Sequence, residues 1–151
     1  MKIIGVIGGS QCTREEYELA REVGGLLAKA GAAVICGGGG GIMEAVCKGA
    51  WEEHGITIGI LPSDDISEAN KFVKIPVATG MGIGRNIIIV RTAQSLIAIN
   101  GRYGTLSEIS FALQLEKPVI AIKPWIELPG VIIVKTPQEA VTKALHLNNK
   151  S

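Results

Sequence analysis

The chain has 151 residues, 47% of them hydrophobic and 19% charged, which excludes a disordered chain and matches the length of one ordinary domain. Fifteen Lys and Arg against fourteen Asp and Glu leave a net charge of +1, without the basic excess that holds a nucleic-acid backbone. No run approaches the roughly 20 apolar residues that span a bilayer, and glycine breaks the apolar opening before a signal peptide's apolar region can form.

Cys12, Cys36 and Cys47 are an odd count without CxxC spacing, which fits a reducing, cytoplasmic environment. His54 and His146 lack ligand-like spacing to them, so no metal site is expected.

Short β-branched runs alternate with amphipathic stretches along the chain. A first strand over 2–7 ends in Gly8-Gly9-Ser10. Thr13 caps the next helix, Glu16 completes a capping box, and Tyr17, Ala20, Val23, Leu27 and Ala30 recur at helical spacing until Gly31. A buried strand over 32–36 runs into the glycines at 37–41, and a helix follows to about 54–55. A strand over 57–61 is halted by Pro62, and the polar, acidic stretch 63–71 reads as a mobile loop before a short strand at 72–76.

Ile87 to Val90 favour a strand by propensity. A strand over 95–99 follows too soon for a parallel neighbour, however, which needs a crossover of about a dozen residues. Residues 82–93 therefore read as a helix that is apolar on most sides, buried in the fold or against another subunit. That surface and the low charge content point to a homodimer or higher homo-oligomer. A helix over 105–116, strands over 119–122 and 131–134 around a loop at 125–130, and a helix opened by Pro137 complete the chain. The expected fold is a single α/β domain over 1–151, a Rossmann-like, doubly wound, mainly parallel sheet in three αβα layers. Its ligand should lie beyond the carboxyl ends of the strands.

Three glycine clusters sit where a strand gives way to a helix: Gly8-Gly9-Ser10, the run including Gly38, Gly39, Gly40 and Gly41, and Gly101 with Gly104-Thr105. A helix N-terminus offers free N–H groups, and missing Cβ atoms let phosphate oxygens reach them. The alternative is turn geometry alone, although each glycine in a five-residue run costs roughly 0.5–1 kcal/mol of backbone entropy. No Lys-Ser or Lys-Thr follows the run, which excludes a P-loop, and the usual GxGxxG spacing and acidic partner of a dinucleotide site are absent. A mononucleotide or sugar phosphate fits better than NAD.

The segment CGGGGGIMEAVCKGA at 36–50 resembles the GGG-x-x-G-[LI]-M motif of the Lonely Guy (LOG) family, once described as lysine decarboxylases. NGRYGTLSE at 100–108 resembles that family's PGGxGTxxE motif, and GMGIGRNIIIVRTA its arginine-bearing helix. The sequence is more similar still to a short sister branch that includes molybdenum-cofactor carrier proteins, with the TGM-x-x-x-RN and GTLSEI patterns and a late P-x-E-A-V helix. The resemblance implies a Rossmann-like dimer with Arg85 as the functional arginine and Glu108 as the catalytic glutamate. It places phosphate at Gly104, Thr105 and the loop Gly38 to Gly41, and brings in a nucleotide or the molybdenum cofactor as bound ligand. Three positions depart from the hydrolase pattern: Asn100 stands for proline, Arg102 for glycine and Asn86 for lysine. Arg102 either grips a further phosphate or fills the pocket.

The LOG hydrolases cleave nucleoside monophosphates, and breaking that N-glycosidic bond builds positive charge on the ribose, which a carboxylate such as Glu108 stabilises. The plain alternative is an acid pairing with a helix dipole. Arg85, in a segment nearly free of charge, should meet a ligand phosphate or a carboxylate such as Glu108. Thr105 reads first as an N-cap. Ser10 and Asn100 read as turn stabilisers, Glu44 as facing solvent or a ribose, Trp51 and Trp125 as packing, and Cys36 and Cys47 as small buried residues. Two functions stay open: a carrier-like protein binding a small phosphorylated ligand, and a phosphoribohydrolase using Glu108 and Arg85.

Overall fold

Strand residues sort by parity, because successive side chains of a strand point to opposite faces. In the strand Ser95–Ile99, Leu96 and Ala98 pack with one helical layer while Ile97 and Ile99 pack with the other. A computed structural model describes residues 1–147. Residues 148–151, which the expected domain includes, lie outside the described residues.

The strands are β1 (Ile3–Gly8), β2 (Ala33–Cys36), β3 (Thr57–Leu61), β4 (Ile75–Ala78), β5 (Ser95–Ile99), β6 (Val119–Ile122) and β7 (Ile132–Val134). The helices are α1 (Arg14–Lys29), α2 (Ile42–Glu52), α3 (Asn86–Thr92), α4 (Tyr103–Gln114) and α5 (Pro137–Leu147). One sheet runs β4-β3-β2-β1-β5-β6-β7, and each neighbouring pair is parallel. Helices α1, α2 and α5 cover one face, with Val23, Leu27, Val46 and Val141 in its core; α3 and α4 cover the other, with Ile89, Val90 and Ala112. This is the three-layer Rossmann-like fold expected.

The winding direction reverses between β1 and β5, and a crevice opens beyond the carboxyl ends at such a switch point. The capping box forms as expected: Glu16 N–H donates to Thr13 Oγ1 at 3.1 Å, and Thr13 N–H to Glu16 Oε1 at 2.9 Å. Helices α1 and α2 approach so closely that a Cβ at Gly24 would stand 2.0 Å from the Val46 carbonyl oxygen, and one at Gly49 1.8 Å from that of Arg21.

Several boundaries differ from expectation. The strand expected at 72–76 lies at Ile75–Ala78, where it pairs with β3 and leaves Ile75 and Val77 partly exposed at the sheet edge. The stretch 82–93 is a 3-10 turn, Gly82–Arg85, leading into α3, whose Ile89 and Val90 are fully buried while Ile87 and Ile88 are half-buried. Helix α4 starts at Tyr103, so Thr105 is its third residue rather than its N-cap. The loop at 63–71 holds a 3-10 turn, Ile66–Glu68, and is tied to the glycine run by Asn70, whose amide donates to the Gly39 carbonyl at 2.9 Å.

Candidate functional site

A cavity of about 360 Å³ opens at the carboxyl edge of the sheet, on the α3/α4 side of the switch point. Of the residues singled out in the sequence, Gly8, Gly9, Ser10, Arg85, Arg102, Gly104, Thr105 and Glu108 line it. Gly38, Gly39, Gly40, Gly41 and Gly101 do not. Neighbouring protein atoms stand close to where side chains at Gly38, Gly39, Gly41 and Gly101 would begin. Gly38 and Gly41 have φ of +77° and +61°, and a Cβ at Gly41 would stand 2.4 Å from the Gly9 carbonyl oxygen. At Gly39 a Cβ would meet Met43 Cε at 2.9 Å, and at Gly101 the Thr105 side chain at 2.4 Å. Gly40 alone has room, with the nearest atom at 3.5 Å.

Gly37, Gln11, Met43 and Asn86 also line the cavity and were not among the site residues read from the sequence. Gly37 lies under the guanidinium of Arg85: a Cβ there would stand 2.6 Å from Nη2. Asn86 was visible only as a departure from a family pattern. It is buried, its side-chain oxygen accepts from Arg85 Nη1, and its amide donates to Ser107 Oγ at 3.3 Å. Ser107 Oγ in turn donates to the Gly104 carbonyl at 2.7 Å. A short chain of hydrogen bonds thus ties the arginine to the first turn of α4.

Arg85 Nε donates to the Ile60 carbonyl at 2.9 Å. The guanidinium is half-buried, and among the described residues it forms no salt bridge; none of the ion pairs involves it. The carboxylate partner expected of it, Glu108, is 7% exposed, lines the same cavity and makes no hydrogen bond among the described residues. Burial pushes the Glu108 carboxyl up to about 8, against a smaller opposing pull from Arg85. At neutral pH most of it is protonated, so the cavity keeps an arginine charge that no carboxylate cancels.

The first turn of α4 carries no side-chain cap, which leaves its leading N–H groups unsatisfied within the helix. Gly104 sits in that turn, and apart from its chain neighbours and its own helix backbone no described atom lies within 4 Å of the position a Cβ would take. Arg102 is exposed. Its Nη1 donates to the Gly101 carbonyl at 2.9 Å, and its guanidinium lies over the Trp125 ring at 5.0 Å from the centroid. Trp125 also meets Tyr103 edge-on at 5.0 Å. Arg102 therefore borders the cavity without filling it.

Other expectations resolve locally. Asn100 has φ of +48°, and its amide donates to Glu16 Oε2 at 2.6 Å, joining the end of β5 to the start of α1. Glu44 is half-buried and accepts the Tyr17 hydroxyl at 2.8 Å. Burial and that carboxylate raise the tyrosine to about 12. Trp51 is 58% exposed, against Phe72. Cys36 and Cys47 are buried as free thiols, 3.5 Å apart. Among the described residues, no three His, Cys, Asp or Glu side chains gather as metal ligands would, and no helix is long and apolar enough to cross a membrane.

The chain is similar to a molybdenum cofactor binding protein from Rippkaea orientalis, at 33% identity over 97% of this chain and 96% of that one, with a TM-score of 0.91. The molybdenum cofactor carrier protein of Chlamydomonas reinhardtii superposes with a TM-score of 0.84 at 29% identity, covering 96% of this chain and 99% of its own. A protein of Archaeoglobus fulgidus is 45% identical over 139 residues, 91% of each chain. The Rippkaea and Chlamydomonas proteins agree with the resemblance to the LOG-like superfamily and its molybdenum-cofactor-carrier branch. The model of the SLOG cluster4 family matches residues 1–150, and the chain belongs to that family.

Proposed function

We propose that the protein binds a small phosphorylated ligand of nucleotide or pterin type, with a phosphate between Arg85 and the first turn of α4. The observation that carries this reading is the half-buried Arg85 guanidinium, which among the described residues has no carboxylate ion pair and faces a cavity bordered by Gly104, where a Cβ would have open space. A buried cation needs a counter-charge, and unsatisfied helix N–H groups supply further donors for an anion. Protonated Glu108 adds a hydrogen-bond donor at neutral pH.

The Rippkaea and Chlamydomonas proteins are described as molybdenum cofactor binding and carrier proteins, which makes that cofactor a candidate ligand. Among the described residues no thiol or imidazole lines the cavity, so these residues suit the phosphate and ring system of such a molecule rather than its metal. The exposed apolar side chains Met81, Ile83 and Phe111 on the α3/α4 side support a homodimer through that face. A cytoplasmic location remains the expectation.

The buried, unbonded Glu108 favours a second reading, a nucleoside monophosphate phosphoribohydrolase. Its raised pKa ranks that reading below binding, because stabilising a ribosyl cation requires the ionised carboxylate. Native mass spectrometry of the purified protein with a panel of nucleotides and pterin phosphates tests the proposal. A retained phosphorylated ligand and an even subunit count are expected; free protein throughout would overturn it.

A further inference from the structure

Cys36 ends β2, and Cys47 lies in α2, 11 positions further along the chain. Packing of α2 on the sheet brings the two side chains together in the core, where neither has any exposed surface. Their sulfurs stand 3.5 Å apart. A disulfide holds its sulfurs about 2.05 Å apart, so the remaining approach is about 1.5 Å, within reach of modest rotations about the two Cα–Cβ bonds.

The two thiols are chemically unequal. The Cys36 sulfur accepts the Gly38 N–H at 3.4 Å as well as a hydrogen bond from the Cys47 thiol. The bond from Cys47 lowers the Cys36 thiol below its ordinary range, against the penalty of burial and with further help from the Gly38 N–H. The same bond, followed by burial, pushes the Cys47 thiol up. In thiol oxidation the thiolate reacts with the oxidant, and a neighbouring thiol then resolves the product. Cys36 is set for the first role and Cys47 for the second.

We propose that Cys36 and Cys47 form a redox modification site, in which a small hydroperoxide joins them in an intrachain disulfide that a dithiol reverses. The Cys36 thiolate attacks a peroxide oxygen, the O–O bond breaks, and Cys36 becomes a sulfenic acid. The departing hydroxide takes the Cys47 proton and leaves as water. The Cys47 sulfur then attacks the Cys36 sulfur, the S–O bond breaks, and the second hydroxide recovers the proton that Cys36 had released. Two thiols and one peroxide thus give one disulfide and two waters. The bond would staple the glycine run between β2 and α2, including Gly37 beneath the Arg85 guanidinium. Because both sulfurs are buried, the oxidant enters during local opening. Cys12, which is half-buried between β1 and α1, gives an internal measure of oxidant exposure.

The test treats the reduced full chain with hydrogen peroxide, raised until Cys12 is oxidised. Remaining thiols are then alkylated under denaturing conditions and the peptides mapped by mass spectrometry. The Cys36 and Cys47 peptides are expected to be joined and lighter by two hydrogens, and dithiothreitol should separate them. The linked protein should melt a few degrees above the reduced one, because the bond constrains the unfolded chain. Cys47→Ala should show neither the linkage nor the rise; if that variant does not fold, the wild-type peptide map decides. Retention of both thiols once Cys12 is oxidised, a bond to Cys12 instead, or a lower melting point in the linked protein would overturn the proposal.

Discussion

Gly37 and Arg85 compete for one space: the guanidinium Nη2 lies 2.6 Å from where a Cβ at position 37 would stand. The first glycine after β2 thus serves as the floor on which the arginine rests, and Asn86 and Ile60 fix the guanidinium from its other sides. Gly37→Ala should displace the flexible end of Arg85 rather than the backbone. We expect the fold to persist, with a thermal midpoint within a few degrees of wild type, while AMP affinity falls about tenfold by calorimetry.

Local signals in the sequence carried much of the architecture. The alternation of β-branched runs with amphipathic stretches, the Thr13–Glu16 capping box and Pro137 at a helix start each rest on residues close in the chain, and each appears in the structure. The site was less legible because it depends on which distant side chain crosses which turn. Nothing near residue 37 marks it as the glycine beneath Arg85, whereas the next four glycines look equally suited to a phosphate. Glu44 could be matched with Tyr17 only once α1 and α2 were known to pack together. Thr105 looked like a cap because threonine favours that place, but α4 begins two residues earlier, in Tyr103 and Gly104.

The raised pKa of Glu108 makes stability depend on pH. Between the ordinary carboxylate value of 4.5 and about 8, the unfolded chain ionises this group while the folded one keeps it protonated. The unfolded state then binds fewer protons, so stability falls as pH rises through that window and levels off above it. Glu108→Gln removes this loss. Its thermal midpoint should exceed that of wild type at pH 8 by the equivalent of a few kcal/mol, roughly 1.4 per pKa unit before relaxation reduces it, and match it near pH 4. An identical pH dependence in both proteins would contradict the buried-acid assignment.

A hydrolase would behave differently from a binder at the same residue. If Glu108 works as a carboxylate, release of free base from AMP should rise with pH through about 8 as the group ionises, and Glu108→Gln should abolish it. Absence of free base at every pH, measured chromatographically with bound AMP present, would leave the binding function alone.

The α1–α2 contact is a separate point of fragility. A methyl group at Gly24 or Gly49 would drive into carbonyl oxygens at 2.0 and 1.8 Å, and those backbone atoms cannot rotate away. Either glycine-to-alanine change should cost about 3 kcal/mol or more and lower the thermal midpoint sharply. A midpoint unchanged within error would mean that the helices sit further apart than described.

The most direct test of the anion site is calorimetric titration of AMP into wild type and Gly104→Leu, with thermal midpoints recorded in parallel. A Cβ at Gly104 meets no atom within 4 Å beyond its own stretch of helix, so leucine should leave the fold intact and occupy the place proposed for the phosphate. An anion site there predicts measurable binding by the wild type and its loss in the variant at a near-unchanged midpoint. Equal binding by both proteins would contradict it.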